Sequence, residues 1–186
     1  LEALAWARIE TGDDEGALAA ACRIPGGPSD SLKGRLLIAE GRTEEGIRQL
    51  EESLDQGRSS MPALVLSSVY ISDERPDLTL ALLRSDRGAR LSAETHLMLT
   101  AQLFHAESYE LAFEACKLAF ERFGRPPFAY NAACWLGRLG RVDDGLDWLA
   151  RAIGAGFTDT EALDQDPDLS ALRADPRFEE IRAKAG

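Results

Sequence analysis

The chain is poor in the residue types that build active sites and stapled folds. Its three cysteines, Cys22, Cys116 and Cys134, stand too far apart for a CxxC metal or redox motif, and an odd number does not close into a disulfide framework. Buried free thiols in a reducing cytoplasm are the expectation. The two histidines, His96 and His105, lie nine residues apart, about 13 Å along one helix at a rise of 1.5 Å per residue, which excludes a shared metal. Cys134 with His105 is the one conceivable thiol and base pair. The motifs GxxxxGK[ST], GxSxG and HExxH are absent. No enzyme activity, cofactor or metal is therefore expected. Lysine and arginine, 21 together, are outnumbered by 32 acidic residues, a net charge of −11 that repels a phosphate backbone. The cations are scattered singly, so nucleic acid is excluded as a partner and a basic one is favoured. No apolar run approaches the roughly 20 residues of a membrane span. A basic-plus-apolar leader is also lacking.

What is present is a repeat. Five turn points, Gly12, Gly41, Glu74, Glu107 and Gly140, are separated by 29, 33, 33 and 33 residues. Seven residues before each stands a small side chain or glycine (Ala5, Gly34, Ser67, Thr100, Ala133), and five after each another (Ala17, Gly46, Thr79, Ala112, Gly145). One step further on is a large apolar residue: Leu18, Ile47, Leu80, Phe113 or Leu146. Two helices joined by a tight turn press together only where one or both carry little volume. The paired small residues mark that crossing, and the larger ones make a helical-period stripe around it.

The turns are legible too. Gly12, Gly41 and Gly140 suit the left-handed conformation that ends a helix, and acidic residues follow into the next helix: Asp13-Asp14-Glu15, Glu44-Glu45 and Asp143-Asp144. The predicted pairs are 2–11 with 14–23, 30–40 with 43–56, 60–72 with 76–84, 91–106 with 108–123, and 127–139 with 142–154. Proline and glycine punctuate between them, at Pro25 to Pro28, Gly57, Pro62, Gly88, Gly124, Pro126-Pro127, Gly154 and Gly156. No segment alternates like a half-buried strand, so the expected class is all-α.

These features resemble the tetratricopeptide repeat family, whose unit is a helix, turn, helix of about 34 residues. The segments 96–120, with Tyr109 and Ala112 in the family pattern, and 128–153 are the closest; 32–54 is nearly as good, and the unit around Tyr70 and Leu80 is degenerate. The resemblance implies a right-handed α-solenoid of about five helix pairs in one domain, with units at 1–24, 30–56, 60–84, 91–123 and 127–154. Residues 157–186 look like the ending found after the last repeat in many bacterial members. Read by itself, that tail places a capping carboxylate before proline twice, at Asp166-Pro167 and Asp175-Pro176. Leu163, Leu169, Leu172, Phe178 and Ile181 supply an apolar lid, which a solenoid end requires. The helical reading already at Leu1 suggests that the natural chain extends upstream.

In repeats of this kind the first helices line a concave face. Here that face is expected to carry Glu2, Trp6 and Glu10, then Ser31, Arg35 and Ile38, then Leu64, Ser68 and Ile71, then Leu97, Phe104 and His105, then Tyr130, Asn131, Cys134 and Arg138. Phe104 and Tyr130 offer rigid contact area beside Asn131 and Arg138, or else pack between adjacent first helices. An Asn at the place of Asn131 often contacts ligand backbone in family members. The two-Asn carboxylate clamp of the chaperone-tail-binding subgroup is incomplete, with only Arg35 and Arg138 beside Asn131. The resulting expectation is a protein or peptide partner of basic or apolar character, held by Arg35, Leu64, Ser68, Leu97, Phe104, His105, Tyr130, Asn131 and Arg138. A self-associating structural domain and a regulatory domain fused to an enzyme are the alternatives.

Overall fold

The computed structural model describes residues 1–185, apart from the side chain of Glu10; Gly186, the last residue of the expected cap, lies outside them. Every regular element among the described residues is helical. In chain order these are α1 (Glu2–Glu10), α2 (Asp14–Ala21), α3 (Asp30–Ala39), α4 (Thr43–Asp55), α5 (Met61–Ser72), α6 (Asp77–Arg84), α7 (Asp86–Ala89), α8 (Ala93–His105), α9 (Tyr109–Phe123), α10 (Pro126–Arg138), α11 (Val142–Gly154), α12 (Thr160–Gln165), a 3-10 turn (Pro167–Leu169), α13 (Ser170–Arg173) and α14 (Arg177–Arg182). The predicted pairs match these helices to within two residues at each end.

All five turn points are left-handed. Gly12, Gly41 and Gly140 have φ of 76°, 80° and 70°, and the two glutamates adopt the same conformation, Glu74 at 58° and Glu107 at 55°. Each turn makes the same hydrogen bond: the amide after the turn point donates to the carbonyl five residues back. The five are Asp13 to Arg8 (2.8 Å), Arg42 to Leu37 (2.9 Å), Arg75 to Tyr70 (2.7 Å), Ser108 to Leu103 (3.0 Å) and Arg141 to Leu136 (2.9 Å). This pairing satisfies carbonyls that a helix end leaves open and sends the chain back antiparallel. That two bulky residues tolerate φ > 0 shows how strongly the surrounding packing dictates the turn.

The chain forms two compact units, Leu1–Val69 and Tyr70–Gly186, divided inside α5. In the first, α1 packs on α2, α3 on α4, and α1 and α2 on α3. Its core includes Ala5, Ile9, Ala17, Ala20, Leu32 and Leu36, with Trp6 and Ile24 against it. In the second, α8 pairs with α9 and α10 with α11, α9 also meets α10, and α6 lies against α7, α8 and α9. The predicted third pair, 60–84, is split by the division, and α6 belongs with the second unit.

The small-residue rule accounts for the crossings. A Cβ on Gly46 would sit 2.5 Å from the Gly34 carbonyl oxygen, and one on Gly34 would sit 2.6 Å from Cγ of Leu50. Ala5, Ala17, Thr100, Ala112 and Ala133 are fully buried at the equivalent places, with the Thr100 hydroxyl donating to the Leu97 carbonyl at 2.8 Å. Gly88 corrects the prediction at one point. It is a buried residue of the one-turn helix α7, whose Cβ would meet the Leu82 carbonyl oxygen at 2.3 Å, so it is there for close approach and not as a break. Pro62 likewise falls in the first turn of α5, where its missing N–H costs nothing.

Both Asp-Pro steps of the tail cap as expected: Asp166 Oδ1 accepts from the Asp168 amide and Asp175 Oδ1 from the Arg177 amide, each at 2.9 Å. Leu163, Leu169, Leu172 and Phe178 are buried, and Ile181 is half-buried. The 3-10 turn and α13 seat on α10, and α13 and α14 on α11. Gly137 and Gly145 make room for them, since a Cβ on Gly137 would meet the Asp168 carbonyl oxygen at 2.4 Å and one on Gly145 the Leu172 side chain at 3.1 Å.

Gly46→Ala is expected to cost about 2 kcal/mol, because the added methyl meets backbone that cannot move aside. Glu107→Gly should gain about 0.5 kcal/mol, the left-handed strain relieved less the added chain entropy. Urea unfolding midpoints at constant m-value check both.

Candidate functional site

Helices α8 and α10 present an aromatic and cationic patch. The Trp135 indole N–H points at the Cys116 sulfur at 3.2 Å, which orients the ring to stack on Phe104 with centroids 4.0 Å apart at 22°. Phe104 in turn meets Tyr109 at 5.4 Å and His105 at 5.7 Å. Arg138 donates to the Tyr109 hydroxyl at 3.2 Å, holds its guanidinium 5.5 Å from the centre of that ring, and lies 3.7 Å from Asp168. The Tyr109 hydrogen bond, then the nearby negative charges, hold its pKa above the ordinary arginine value. Burial and the repulsion of Asp166 raise the Asp168 carboxyl, with Arg138 opposing them. Phe104 and Asn131 are half-buried, while His105 and Arg138 are exposed. Rigid aromatic area beside a fixed cation is a common base for peptide recognition.

Tyr130 and Cys134 are not part of that open surface. Tyr130 is only 8% exposed: its hydroxyl donates to Asp166 Oδ2 at 2.6 Å and its ring stacks on Phe157 at 4.3 Å and 10°. Cys134 is 2% exposed, with its sulfur 3.8 Å from the same carboxylate oxygen. The tail therefore covers the inner face of α10 that the sequence pattern leaves open for a ligand. Asp166 organises this closure, since its other oxygen caps the following turn and its carbonyl accepts from Arg173 at 2.7 Å.

The remaining predicted residues are dispersed. Arg35 on α3 and Leu97 on α8 are half-buried, and on α5 Leu64 is half-buried and Ser68 exposed. Glu2 and Trp6 line an open depression of about 580 Å³ with Lys33, Arg58 and Met61; the side chain of Glu10 lies outside the described residues. Phe104 and His105 are in direct contact, and Tyr109 links Phe104 to Arg138. Two contributors were missed, Tyr109 and Asp168, which Phe104 and Arg138 reach.

The expectation of buried thiols holds for Cys116 and Cys134, whereas Cys22, one residue beyond the end of α2, is exposed. Burial pushes the Cys116 thiol up to about 12, and burial with the Asp166 charge pushes Cys134 well above its ordinary value. The Cys134 and His105 pair thus has a thiol without thiolate character. His96 is fully buried: its Nδ1 donates to the Ser92 carbonyl (3.0 Å), its Nε2 accepts from Arg122 (3.1 Å), and Phe123 packs edge-on at 4.9 Å. Burial, with the Arg122 charge, lowers its pKa. Among the described residues no group of three or more His, Cys, Asp or Glu side chains could hold a metal ion, and no helix is long and apolar enough to cross a membrane.

No protein-family model matches the chain, and no solved structure matches it. It is similar to a chloroplastic protein of Arabidopsis thaliana, with 27% identity over 116 residues that cover 60% of this chain. The match spans 35% of that protein's length. At that identity and coverage the likeness assigns neither family nor activity.

Two outcomes follow from this geometry. Tyr130→Phe should loosen the tail at a cost of about 1.5 kcal/mol, leaving the Asp166 oxygen short of its donor, as measured by urea unfolding and faster amide exchange in residues 160–173. Because the folded state holds the His96 pKa below its unfolded value of about 6.5, the unfolded state binds the extra proton first. Stability is then lost as pH falls below about 6.5, at no more than about 1.4 kcal/mol per unit. The unfolding free energy of His96→Gln should fall less steeply between pH 7.5 and 5.5.

Proposed function

We propose that the chain is a tetratricopeptide-like α-solenoid that works as a protein-interaction module, holding a peptide or partner segment without catalysing a reaction on it. The observation that carries this reading is the half-exposed patch on α8 and α10, where Phe104 is braced by Trp135, meets His105 and Tyr109, and reaches Arg138 through that tyrosine, with Asn131 half-buried on α10. An apolar side chain would rest against Phe104, and Asn131 would both donate to and accept from the partner's backbone. The five equivalent left-handed turns and their shared hydrogen bond support the repeat, and the tail over α10 and α11 supports a terminal cap. Tyr130 has passed from the ligand surface to the cap, so the surface proposed here is the α8 side, with Leu97 as a further contributor. Arg35, Leu64 and Ser68 lie in the first unit and keep their proposed role on that unit's own face.

A random peptide library displayed on phage tests the assignment. Enriched peptides should bind the double variant His105→Ala, Asn131→Ala about tenfold more weakly, equivalent to about 1.4 kcal/mol of binding free energy, while the melting temperature holds. Peptides whose affinity ignores both changes would overturn it. A second reading, self-association, is favoured by Leu1 and Leu4 at the start of the chain, 50% and 45% exposed. Sedimentation velocity decides it: a monomer across dilution removes this reading, and a dimer dispersed by Leu4→Glu supports it.

A further inference from the structure

Between α2 and α3 lies an open pocket of about 220 Å³ lined by Asp14, Glu15, Leu18, Leu36, Ala39 and Glu40. Its origin can be read by counting from the turn points. The same six offsets at the junction of α9 and α10 are Tyr109, Glu110, Phe113, Trp135, Arg138 and Leu139. There the space is full: Phe113 and Trp135 are 7% and 6% exposed, and the Arg138 guanidinium lies over Tyr109. At the α2 and α3 junction Tyr109 is matched by Asp14, Phe113 by Leu18, Trp135 by Leu36, and Arg138 by Ala39. Three aromatic rings and one arginine are exchanged for smaller side chains, and Leu18 is left 40% exposed.

The charge follows the volume. Losing the arginine while gaining Asp14 for Tyr109 and Glu40 for Leu139 leaves three carboxylates around an apolar floor. Asp14 and Glu15 have no cationic partner among the described residues, and Glu40 meets Arg42 only at 3.4 Å while that guanidinium binds Glu45 at 2.6 Å. The pocket is too small for a cofactor but exceeds the roughly 150 Å³ that takes up an aromatic ring in an apolar cavity.

We infer that this pocket is a second docking site, on a different helix junction from the proposed α8 and α10 surface, for a partner segment that presents an aromatic side chain next to lysine or arginine. The aromatic ring fills the volume vacated between Leu18 and Leu36, and the cation takes the place that Arg138 holds at the other junction, against Asp14, Glu15 and Glu40. The net charge of −11 draws such a segment toward the protein as a whole.

The probes are an acetylated, amidated Gly-Lys-Trp-Arg-Lys-Gly peptide and its counterpart with alanine for tryptophan, titrated into the full ¹⁵N-labelled chain. Saturable shifts centred on Leu18, Leu36 and Ala39 are expected, with the alanine peptide about tenfold weaker, as burial of an aromatic side chain requires. Ala39→Arg, which supplies the cation within the chain, should abolish the shifts without lowering the melting temperature. Leu18→Trp, which fills the floor, should do the same. Asp14→Asn with Glu15→Gln should weaken binding and flatten its salt dependence. Equal affinity of the two peptides, shifts centred on Asn131 and Arg138, no saturable shift, or binding unaltered in both pocket-filling variants would each overturn the inference.

Discussion

The geometry of the chain rests on the way each first helix is stopped and reversed. A left-handed residue at the helix end lets two successive amides fold back onto the last carbonyls, so the next helix leaves antiparallel and close by. Closeness then demands small residues seven before and five after that point, and Gly34 against Gly46 shows the demand at its strictest. Glu74 and Glu107 adopt this conformation despite the steric cost of a side chain there. The turn is therefore imposed by the packing of two helices as much as by the residue at its apex.

Counted from their turn points, the junction of α2 with α3 and that of α9 with α10 offer corresponding positions that differ in side-chain volume and charge. At α9 and α10 they are filled with Tyr109, Phe113, Trp135 and Arg138, which makes a rigid surface on one side and a dense core beneath it. At the corresponding positions α2 and α3 carry smaller and acidic residues, which line an open pocket. Cys116 serves as acceptor for the Trp135 indole, and His96 is wedged between Ser92, Arg122 and Phe123, so these two side chains are spent on packing.

The tail changes which part of α10 faces outward. Asp166 ties the turn after α12 to Tyr130 and lies against Cys134, and Phe157 lies flat on the tyrosine ring. Tyr130 and Phe104 occupy similar sequence contexts, an aromatic among small and polar residues on a first helix. One is covered and the other half-open, because the tail reaches α10 and not the outer end of α8.

Helix limits, turn positions and crossing residues were legible in the sequence, since each depends on neighbours within one hairpin and on periodicities of 3.6 and 33 residues. The capping aspartates and the apolar tail were legible for the same local reason. The fate of Tyr130 and the contacts that bring Trp135 to Phe104 and Arg138 to Tyr109 were not, because they join elements about thirty residues apart. The pocket at α2 and α3 belongs to both: its residues can be named by counting from the turns, but emptiness is a property of volume. Only the tertiary structure shows the open volume between Leu18 and Leu36.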